Sequence, residues 1–182
     1  ESVLPLFHAR LENVLAHIRH DWEIIYVDDG STDQSPAFLQ QLKAANARVG
    51  VARFTRNFGK EEAMTAGLTL ASGDAVILID ADLQDPPELI PAMLDAWLAG
   101  ADVVNMRRLQ RNGESWLKKA TAHAFYRVIN RLSEVPVPED VGDFRLLSRR
   151  AVDALNQLEE RNRFMKGLFS WIGYRTVTLD YN

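Results

Sequence analysis

VILIDADLQDPPELI, residues 76–90, joins a buried strand, a cluster of acids and the start of a helix. Residues 76–79 are all apolar and rich in β-branched side chains, which is typical of a strand covered on both faces. Asp80, Asp82 and Asp85 follow at once, and two prolines then end the strand pattern and suit the first turn of a helix. The segment therefore predicts a core strand that delivers three carboxylates to one loop.

Apolar segments of strand length alternate with segments of helical periodicity along the rest of the chain. The predicted strands are 22–29, 49–54, 75–80, 101–107, 143–148 and 175–180, and the predicted helices are 2–18, 34–46, 60–71, 88–99, 113–132, 149–158 and 163–172. This alternation is typical of an α/β fold with a mainly parallel sheet and helices on both faces. The sequence shows no repeat and no linker, so it predicts one domain over residues 1–182.

Charged residues follow three of the predicted strands at their carboxyl ends. These are the pairs Asp28–Asp29, Asp80–Asp82 and Arg107–Arg108. Ligands of parallel α/β sheets bind at this edge of the sheet, because the carboxyl ends of the strands lie side by side there. We therefore expect the three pairs to share one rim despite their separation in sequence.

The composition limits the chemistry available at this rim. The chain has no cysteine, and its four histidines lack the spacing of a zinc site, so thiolate sites, thiol nucleophiles and disulfides are excluded. A metal would be held by oxygen, which favours Mg²⁺, Mn²⁺ or Ca²⁺. Asp80 and Asp82 could share such a cation with a substrate diphosphate. The alternative is that both acids only terminate the strand, since Asp is common in turns.

The segment VDDGSTD, residues 27–33, has two interpretations. Acids that end an early strand can accept hydrogen bonds from ribose hydroxyls or from a base. Alternatively, Asp28 and Asp29 belong to a tight turn capped by Ser31 or Asp33. Neither GxGxxG nor GxxxxGK[ST] occurs in the chain, so a bound nucleotide would be held by acids and a metal rather than by a glycine-rich phosphate loop.

The net charge of −4 conceals an uneven distribution. Residues 1–100 carry 15 acidic and 7 basic side chains, whereas residues 101–182 carry 10 and 14. The acidic first part is suited to binding a cation, and the basic second part is suited to binding an anion. The alternative is that the basic residues only form a solvated face. The basic helix predicted over 113–132 suits an anionic membrane surface or, alternatively, packs on the sheet. No apolar run is long enough to predict a transmembrane helix.

Four motifs together resemble the inverting family 2 glycosyltransferases of the GT-A fold. They are VDDGSTD, RNFGKEEAMTAGL (56–68), DADLQDPPE (80–88), and GDFRLLSRR (142–150) followed by ERNRFMKGLFSWIGY (160–174). The nearest resemblance is to the polyprenyl-phosphate branch, which contains bactoprenol glucosyltransferases and dolichol-phosphate mannose synthases. The resemblance implies transfer of a hexose from a nucleotide sugar to a polyprenyl phosphate, with Mg²⁺ or Mn²⁺ as cofactor. UDP-glucose is the favoured donor and GDP-mannose is the second choice.

The resemblance also implies roles for single residues. The nucleotide donor would be bound by Asp28, Asp29, Asp80 and Gln84. The metal would be bound by Asp80 and Asp82. The acceptor or a phosphate would be bound by Arg107, Arg108, Lys118, Arg163 and Lys166, and the catalytic residues would be Asp82, Asp143 and Arg145. A lipid phosphate is already an anionic nucleophile, so cationic positioning matters more than a general base. We therefore expect Asp143 to orient groups or to stabilise charge.

Two parts of the family pattern are not found in the chain. The first strand with its VPxxNEE turn would precede Glu1, and a basic stretch with membrane helices would follow Asn182. The resemblance then implies the catalytic domain of an enzyme on the cytoplasmic face of the membrane, with this chain itself soluble or peripheral. The membrane surface is an expected partner and nucleic acid is not, while a homo-oligomer is left open.

Two other classes of function compete with the transferase. A nucleotidyltransferase that makes sugar nucleotides shares the α/β plan and an acidic metal site, but its glycine-rich phosphate loop is not found. A non-catalytic module that binds nucleotide or membrane would not need Asp80, Asp82 and Asp143, so their presence favours an enzyme.

Overall fold

The computed structural model describes residues 3–109, 141–158 and 165–182. The helices are α1 (Val3–Leu15), α2 (Ser35–Ala45), α3 (Lys60–Leu70), α4 (Ile90–Leu98), α5 (Arg149–Asn156) and α6 (Met165–Trp171), and a short 3₁₀ helix (Pro87–Leu89) precedes α4. The strands are β1 (Ile24–Asp28), β2 (Val49–Arg53), β3 (Ala75–Leu78), β4 (Val103–Arg108), β5 (Val141–Ser148) and β6 (Thr176–Tyr181). The helix predicted over 113–132 lies outside the described residues. The other predicted strands and helices are confirmed.

The strands form two sheets. β1 and β2 pair in parallel, and the second sheet has the order β3-β5-β4-β6. β4 and β6 are parallel, whereas β5 is antiparallel to both β3 and β4. The predicted α/β fold with mainly parallel strands is confirmed, since β3, β4 and β6 run in one direction, but the strands lie in two sheets where the sequence predicted one. The direction of β5 was not predicted, because an apolar pattern does not encode whether a strand runs with or against its neighbours.

Helices cover both faces of the four-stranded sheet, as predicted. Neighbouring residues of a strand point to opposite faces. Val103 and Leu147 therefore pack with α3, α5 and α6 in one buried cluster, while Val104 and Leu146 pack with Met93 of α4 in another. A third cluster joins α1 and α2 to β1, β2 and the start of α4. These clusters hold the carboxyl ends of β1 and β3 in place for the loops that follow.

A buried carboxylate ties the start of β4 to the end of β5. Asp102 accepts a hydrogen bond from the Ser148 hydroxyl at 2.9 Å and is paired by the Arg150 guanidinium, whose Nη2 lies 2.5 Å from Oδ2. The hydrogen bonds from Arg150 outweigh burial and hold the pKa of Asp102 below its usual range. This linkage lies away from the acidic loops and is structural.

The linkage predicts a pH dependence of stability. A lowered pKa in the folded state contributes stability above the unfolded pKa of about 3.9, and that contribution is lost as the pH falls through the folded value. Asp102→Asn removes the titrating group. Urea denaturation between about pH 6 and pH 2 should therefore show a smaller loss of unfolding free energy on acidification than in the wild type. The exposed Asp95 of α4 offers the control Asp95→Asn, and equal slopes in all three proteins would contradict the prediction.

Candidate active site

The turn after β1 is built around the carboxylate of Asp28, which is 5% exposed. Its Oδ1 accepts a hydrogen bond from Ser31 N at 2.9 Å, and Arg53 Nε lies 3.3 Å from Oδ2. The turn considered from the sequence is therefore present, but Asp28 itself caps it, whereas Asp33 Oδ1 accepts a hydrogen bond from Ser35 N at 2.9 Å at the start of α2. Oδ2 of Asp28 has no hydrogen-bond partner among the described residues, and its contact with a nucleoside stays a prediction.

Gly30 allows this turn to lie directly against the loop that follows β2. Its φ is +75°, and a Cβ atom placed on it would stand 2.4 Å from Arg56 C and 2.7 Å from Asn57 N. Both obstacles are backbone atoms, which cannot rotate away as a side chain would. Gly30 therefore fixes how closely the loops after β1 and β2 approach each other.

Gly30→Ala should lower the free energy of unfolding by about 2 kcal/mol, because the new methyl group clashes and the backbone conformation is strained. Chemical denaturation measures this change. Gly50→Ala in β2 is the matched control, since its Cβ would meet atoms no closer than 3.6 Å and its effect should stay within about 0.5 kcal/mol. Equal effects at the two glycines would count against the close approach of the loops.

Asp29 anchors the start of α3. Its two carboxylate oxygens accept hydrogen bonds from Phe58 N at 2.7 Å and Gly59 N at 2.9 Å. Gly59 has a φ of +110° and immediately precedes the helix. The carboxylate that was predicted to contact the nucleoside thus also determines where Lys60 enters the site.

Lys60 brings together two of the predicted site residues. Its Nζ lies 2.5 Å from Asp80 Oδ2 and 2.6 Å from Asp143 Oδ2. Partial burial opposes the charge, but hydrogen bonds to Asp143 and Asp80 outweigh it and raise the pKa of Lys60. The loop after β3 and the strand β5 therefore meet at one ammonium group.

Sequence reasoning missed Lys60, although a signal was available. The residue opens α3, where the positive end of the helix dipole disfavours a cation. The next two residues, Glu61 and Glu62, follow the favourable pattern of acids in the first turn. A lysine ahead of them indicates a specific anionic partner elsewhere in the fold.

The loop that carries Asp82 is held by one hydrogen bond within the loop and by one from β6. Asp82 Oδ1 accepts a hydrogen bond from Gln84 N at 2.9 Å, and Leu83 between them has a φ of 65°. Asp85 Oδ1 accepts a hydrogen bond from the Tyr181 hydroxyl at 2.7 Å. Burial raises the pKa of Asp85, and the charges of Asp80 and Asp82 raise it further. The loop therefore concentrates negative charge at the carboxyl end of β3, as predicted.

The donor set fits a divalent cation that is shared with a ligand. Among residues 3–109, 141–158 and 165–182, no three His, Cys, Asp or Glu side chains are grouped to hold a metal alone. Asp80 and Asp82 supply carboxylate oxygens, the ligands that Mg²⁺ and Mn²⁺ prefer while substrate phosphates complete their coordination. Asp80 already pairs with one positively charged group, the ammonium of Lys60.

Arg145 is a buried cation at the same end of β5. It is 3% exposed, its Nη2 donates to Gly142 O at 2.7 Å, and its Cζ lies 3.9 Å from the ring centroid of Phe169. Burial lowers the pKa of Arg145 to about 10. Its Nε makes no hydrogen bond within the described part of the chain. Arg145 therefore places a buried positive charge beside Asp143, and its contact with a substrate anion stays a prediction.

The strand pairing beside Arg145 is irregular. Asn105 of β4 pairs with Arg145, but Arg107 pairs with Val141, so β4 advances two residues while β5 advances four. Bulged strands re-aim side chains and are common next to active sites. The irregular stretch contains Asp143, which explains how this residue reaches Lys60 instead of continuing the ladder.

The predicted phosphate ligands are only partly brought to the site. Arg107 forms a two-point ion pair with Asp180, with atom separations of 2.7 Å and 2.9 Å, so it is engaged within the fold. Arg108 is half-buried, and its Nε has no hydrogen-bond partner in the described ranges. Lys118 and Arg163 lie outside the described residues, as does the side chain of Lys166. Phosphate binding by these residues stays a prediction.

The α/β fold and its acidic rim are those of the GT-A type, and the family match decides the class of the domain. The chain belongs to the family described as Glycosyl transferase family 2, whose sequence profile matches residues 4–155. This confirms the resemblance drawn from the four motifs.

Two relatives show the extent of the similarity. An uncharacterized glycosyltransferase of Synechocystis sp. is 49% identical over 175 residues, which is 96% of this chain and 55% of that protein. A bactoprenol glucosyl transferase of Shigella phage SfV is 44% identical over 181 residues, which is 100% of this chain and 59% of that protein. The chain therefore spans somewhat more than half the length of these relatives.

A solved structure shows the same fold. The mannosyltransferase PcManGT of Pyrobaculum calidifontis, in complex with GDP-Man and Mn²⁺, matches with a TM-score of 0.60 and 21% identity over 97% of this chain and 51% of that one. At this identity the match supports the fold alone. In the described ranges of the present chain, no helix has both the length and the apolar character needed to span a membrane.

Proposed function

We propose that the protein transfers a hexose from a nucleotide sugar to a polyprenyl phosphate, with UDP-glucose as the first donor to test and GDP-mannose as the second. The observation that carries the proposal is the meeting of Asp80 and Asp143 at Lys60, at the carboxyl end of the sheet. Membership of family 2 and the 44% identity to a bactoprenol glucosyl transferase support it.

The donor side of the proposed site is acidic. Asp28 and Asp29 lie at the end of β1 and would contact the nucleoside, while Gln84 is exposed next to the acidic loop and would lie near the sugar or the diphosphate. Asp80 and Asp82 would hold a divalent cation. When bound there, the cation would offset the negative charge that builds on the departing diphosphate.

The acceptor side requires a cation rather than a base. A phosphate oxygen of the lipid attacks the anomeric carbon and forms the new C–O bond, while the bond to the nucleotide diphosphate breaks and its electron pair leaves with the diphosphate. No proton has to move, so a general base is unnecessary. Attack from the face opposite to the leaving group inverts the configuration. Arg145 supplies buried positive charge for an incoming phosphate.

Asp143 would stabilise charge in this reaction. It is held by Lys60, and its side chain is 17% exposed, so it is oriented and largely shielded from water. A fixed carboxylate near the anomeric carbon favours the positive charge that develops there as the sugar departs. This role agrees with the expectation that Asp143 does not act as a base.

We extend the proposal to the whole protein. Residues 1–182 would form a single catalytic domain, and the lipid acceptor implies that the site works beside a membrane surface, on its cytoplasmic face. The family assignment favours this function over a nucleotidyltransferase, which would join a sugar phosphate to a nucleoside triphosphate and release pyrophosphate.

A transfer assay tests the proposal. The chain is incubated with UDP-glucose or GDP-mannose, a short water-soluble prenyl phosphate, and Mg²⁺, Mn²⁺ or a chelator, and products are separated and identified by mass. We expect a prenyl-phosphate hexose with inverted anomeric configuration from one donor, formed only with metal. Pyrophosphate release from a nucleoside triphosphate and a sugar phosphate, without any transfer, would replace the proposal by the nucleotidyltransferase.

A further inference from the structure

The proposed reaction uses the contact of Lys60 with Asp143 but does not explain its contact with Asp80. Its ammonium group lies 2.5 Å from an oxygen of Asp80, a proposed metal ligand, and 2.6 Å from an oxygen of Asp143. A divalent cation coordinated by the same oxygen of Asp80 would stand within a few ångströms of this ammonium. Like charges at such separations repel strongly in a partly buried site.

The backbone directs Lys60 to this position. Asp29 holds Phe58 N and Gly59 N with both of its oxygens, and α3 begins at the next residue. The positive end of the helix dipole disfavours a cation at that point. Lys60 is nevertheless held there by two carboxylates, while nearly half of its side chain surface remains exposed, 47%. The exposure leaves it room to move away from Asp80.

We propose that Lys60 is a positioning residue that serves as an internal counter-cation of the metal site. In the protein without ligand, its ammonium holds Asp80 and Asp143 together and prevents the clustered carboxylates from repelling one another. A divalent cation must displace the ammonium from Asp80, and Lys60 then remains with Asp143. This inference rests on the proposed function, because it takes Asp80 and Asp82 as the metal ligands.

The inference predicts that removal of the ammonium strengthens metal binding. Lys60→Met should bind Mn²⁺ in the absence of nucleotide about tenfold more tightly than the wild type, because the competing positive charge is gone. Titration followed by electron paramagnetic resonance of free Mn²⁺ measures this affinity directly. A residue that only maintained the fold would give the opposite result, since its loss would loosen the ligands.

Three further variants make the result specific. Lys60→Arg keeps the positive charge and should bind Mn²⁺ with the wild-type affinity. Lys43→Met removes an equal charge at an exposed position of α2 and should also bind Mn²⁺ with the wild-type affinity. Asp82→Asn removes a proposed ligand and should weaken Mn²⁺ binding in the wild-type background. Thermal unfolding of each variant verifies that the protein remains folded.

The outcomes separate the two levels of the argument. If Asp82→Asn weakens Mn²⁺ binding and Lys60→Met binds no more tightly than the wild type, the role of Lys60 is wrong and the metal site stands. If Lys60→Met and Lys60→Met combined with Asp82→Asn bind Mn²⁺ equally, the assignment of the metal ligands is wrong and the inference falls with it. Tighter binding in Lys60→Met but not in Lys43→Met supports the inference.

Discussion

Replacement of Asp143 by Asn should reduce the rate of hexose transfer by about 10²–10³-fold, which is the cost typical of removing one preorganised group that stabilises charge in a transition state. The substitution keeps the shape of the side chain and an oxygen that can accept from Lys60. In the proposed reaction, it removes the negative charge that would face the developing positive charge on the sugar. Affinity for the nucleotide should change by less than about threefold, because the lost interaction belongs to the transition state.

Single-turnover transfer together with nucleotide titration checks this prediction. Asp153→Asn in α5 is the matched control, since this carboxylate is exposed and lies 3.5 Å from Arg149 Nη1. The transfer rate of this variant should equal that of the wild type. A full transfer rate in Asp143→Asn would remove Asp143 from the reaction. A parallel loss of nucleotide binding would instead assign it to the donor site.

Replacement of Arg145 by Met should affect stability and function in opposite directions. Its guanidinium is 3% exposed and forms no ion pair with a described carboxylate, although it donates to Gly142 O and stacks on Phe169. Burial outweighs the favourable charges of Asp143 and Glu61 at this guanidinium, so its removal should raise the free energy of unfolding by about 1–3 kcal/mol. Transfer to the prenyl phosphate should fall by about 10²-fold, because the anion loses a charged donor.

Arg150→Met offers the matched comparison, because Arg150 pairs with the buried carboxylate of Asp102. The same substitution there should lower stability, since it leaves that carboxylate without its cation. Urea denaturation of both variants and acceptor titration of Arg145→Met measure these effects. Destabilisation of similar size in Arg145→Met and Arg150→Met would mean that Arg145 is a structural residue, whose contacts with Phe169 and Gly142 offset the cost of burying its charge.

The elements and the acidic rim could be predicted from the sequence because both depend on local pattern. The apolar run before Asp80 and the alternation of strands with helices determine which groups reach the carboxyl end of the sheet. Asp80 and Asp143 were both predicted as site residues, and the structure brings them to one ammonium group.

The partners within the site could not be predicted in the same way. Arg107 was expected to meet phosphate, yet Asp180 of β6 engages it, and Tyr181 reaches the acidic loop through Asp85. These contacts depend on β6 lying parallel to β4, which no local pattern in either strand specifies. The contact of Asp143 with Lys60 likewise depends on the irregular pairing of β5, because a regular ladder would place the side chain differently.

The most direct test is a calorimetric titration of UDP and of GDP, with and without Mn²⁺, against the chain and its Asp82→Asn variant. Asp74→Asn serves as the control, since Asp74 is an exposed acid at the opposite end of β3. We predict that one nucleotide binds in a metal-dependent manner, and that Asp82→Asn weakens this binding by at least about tenfold while Asp74→Asn does not. Binding that is independent of Mn²⁺, or equal in the wild type and Asp82→Asn, would contradict the assignment of these acids to a cation and a diphosphate.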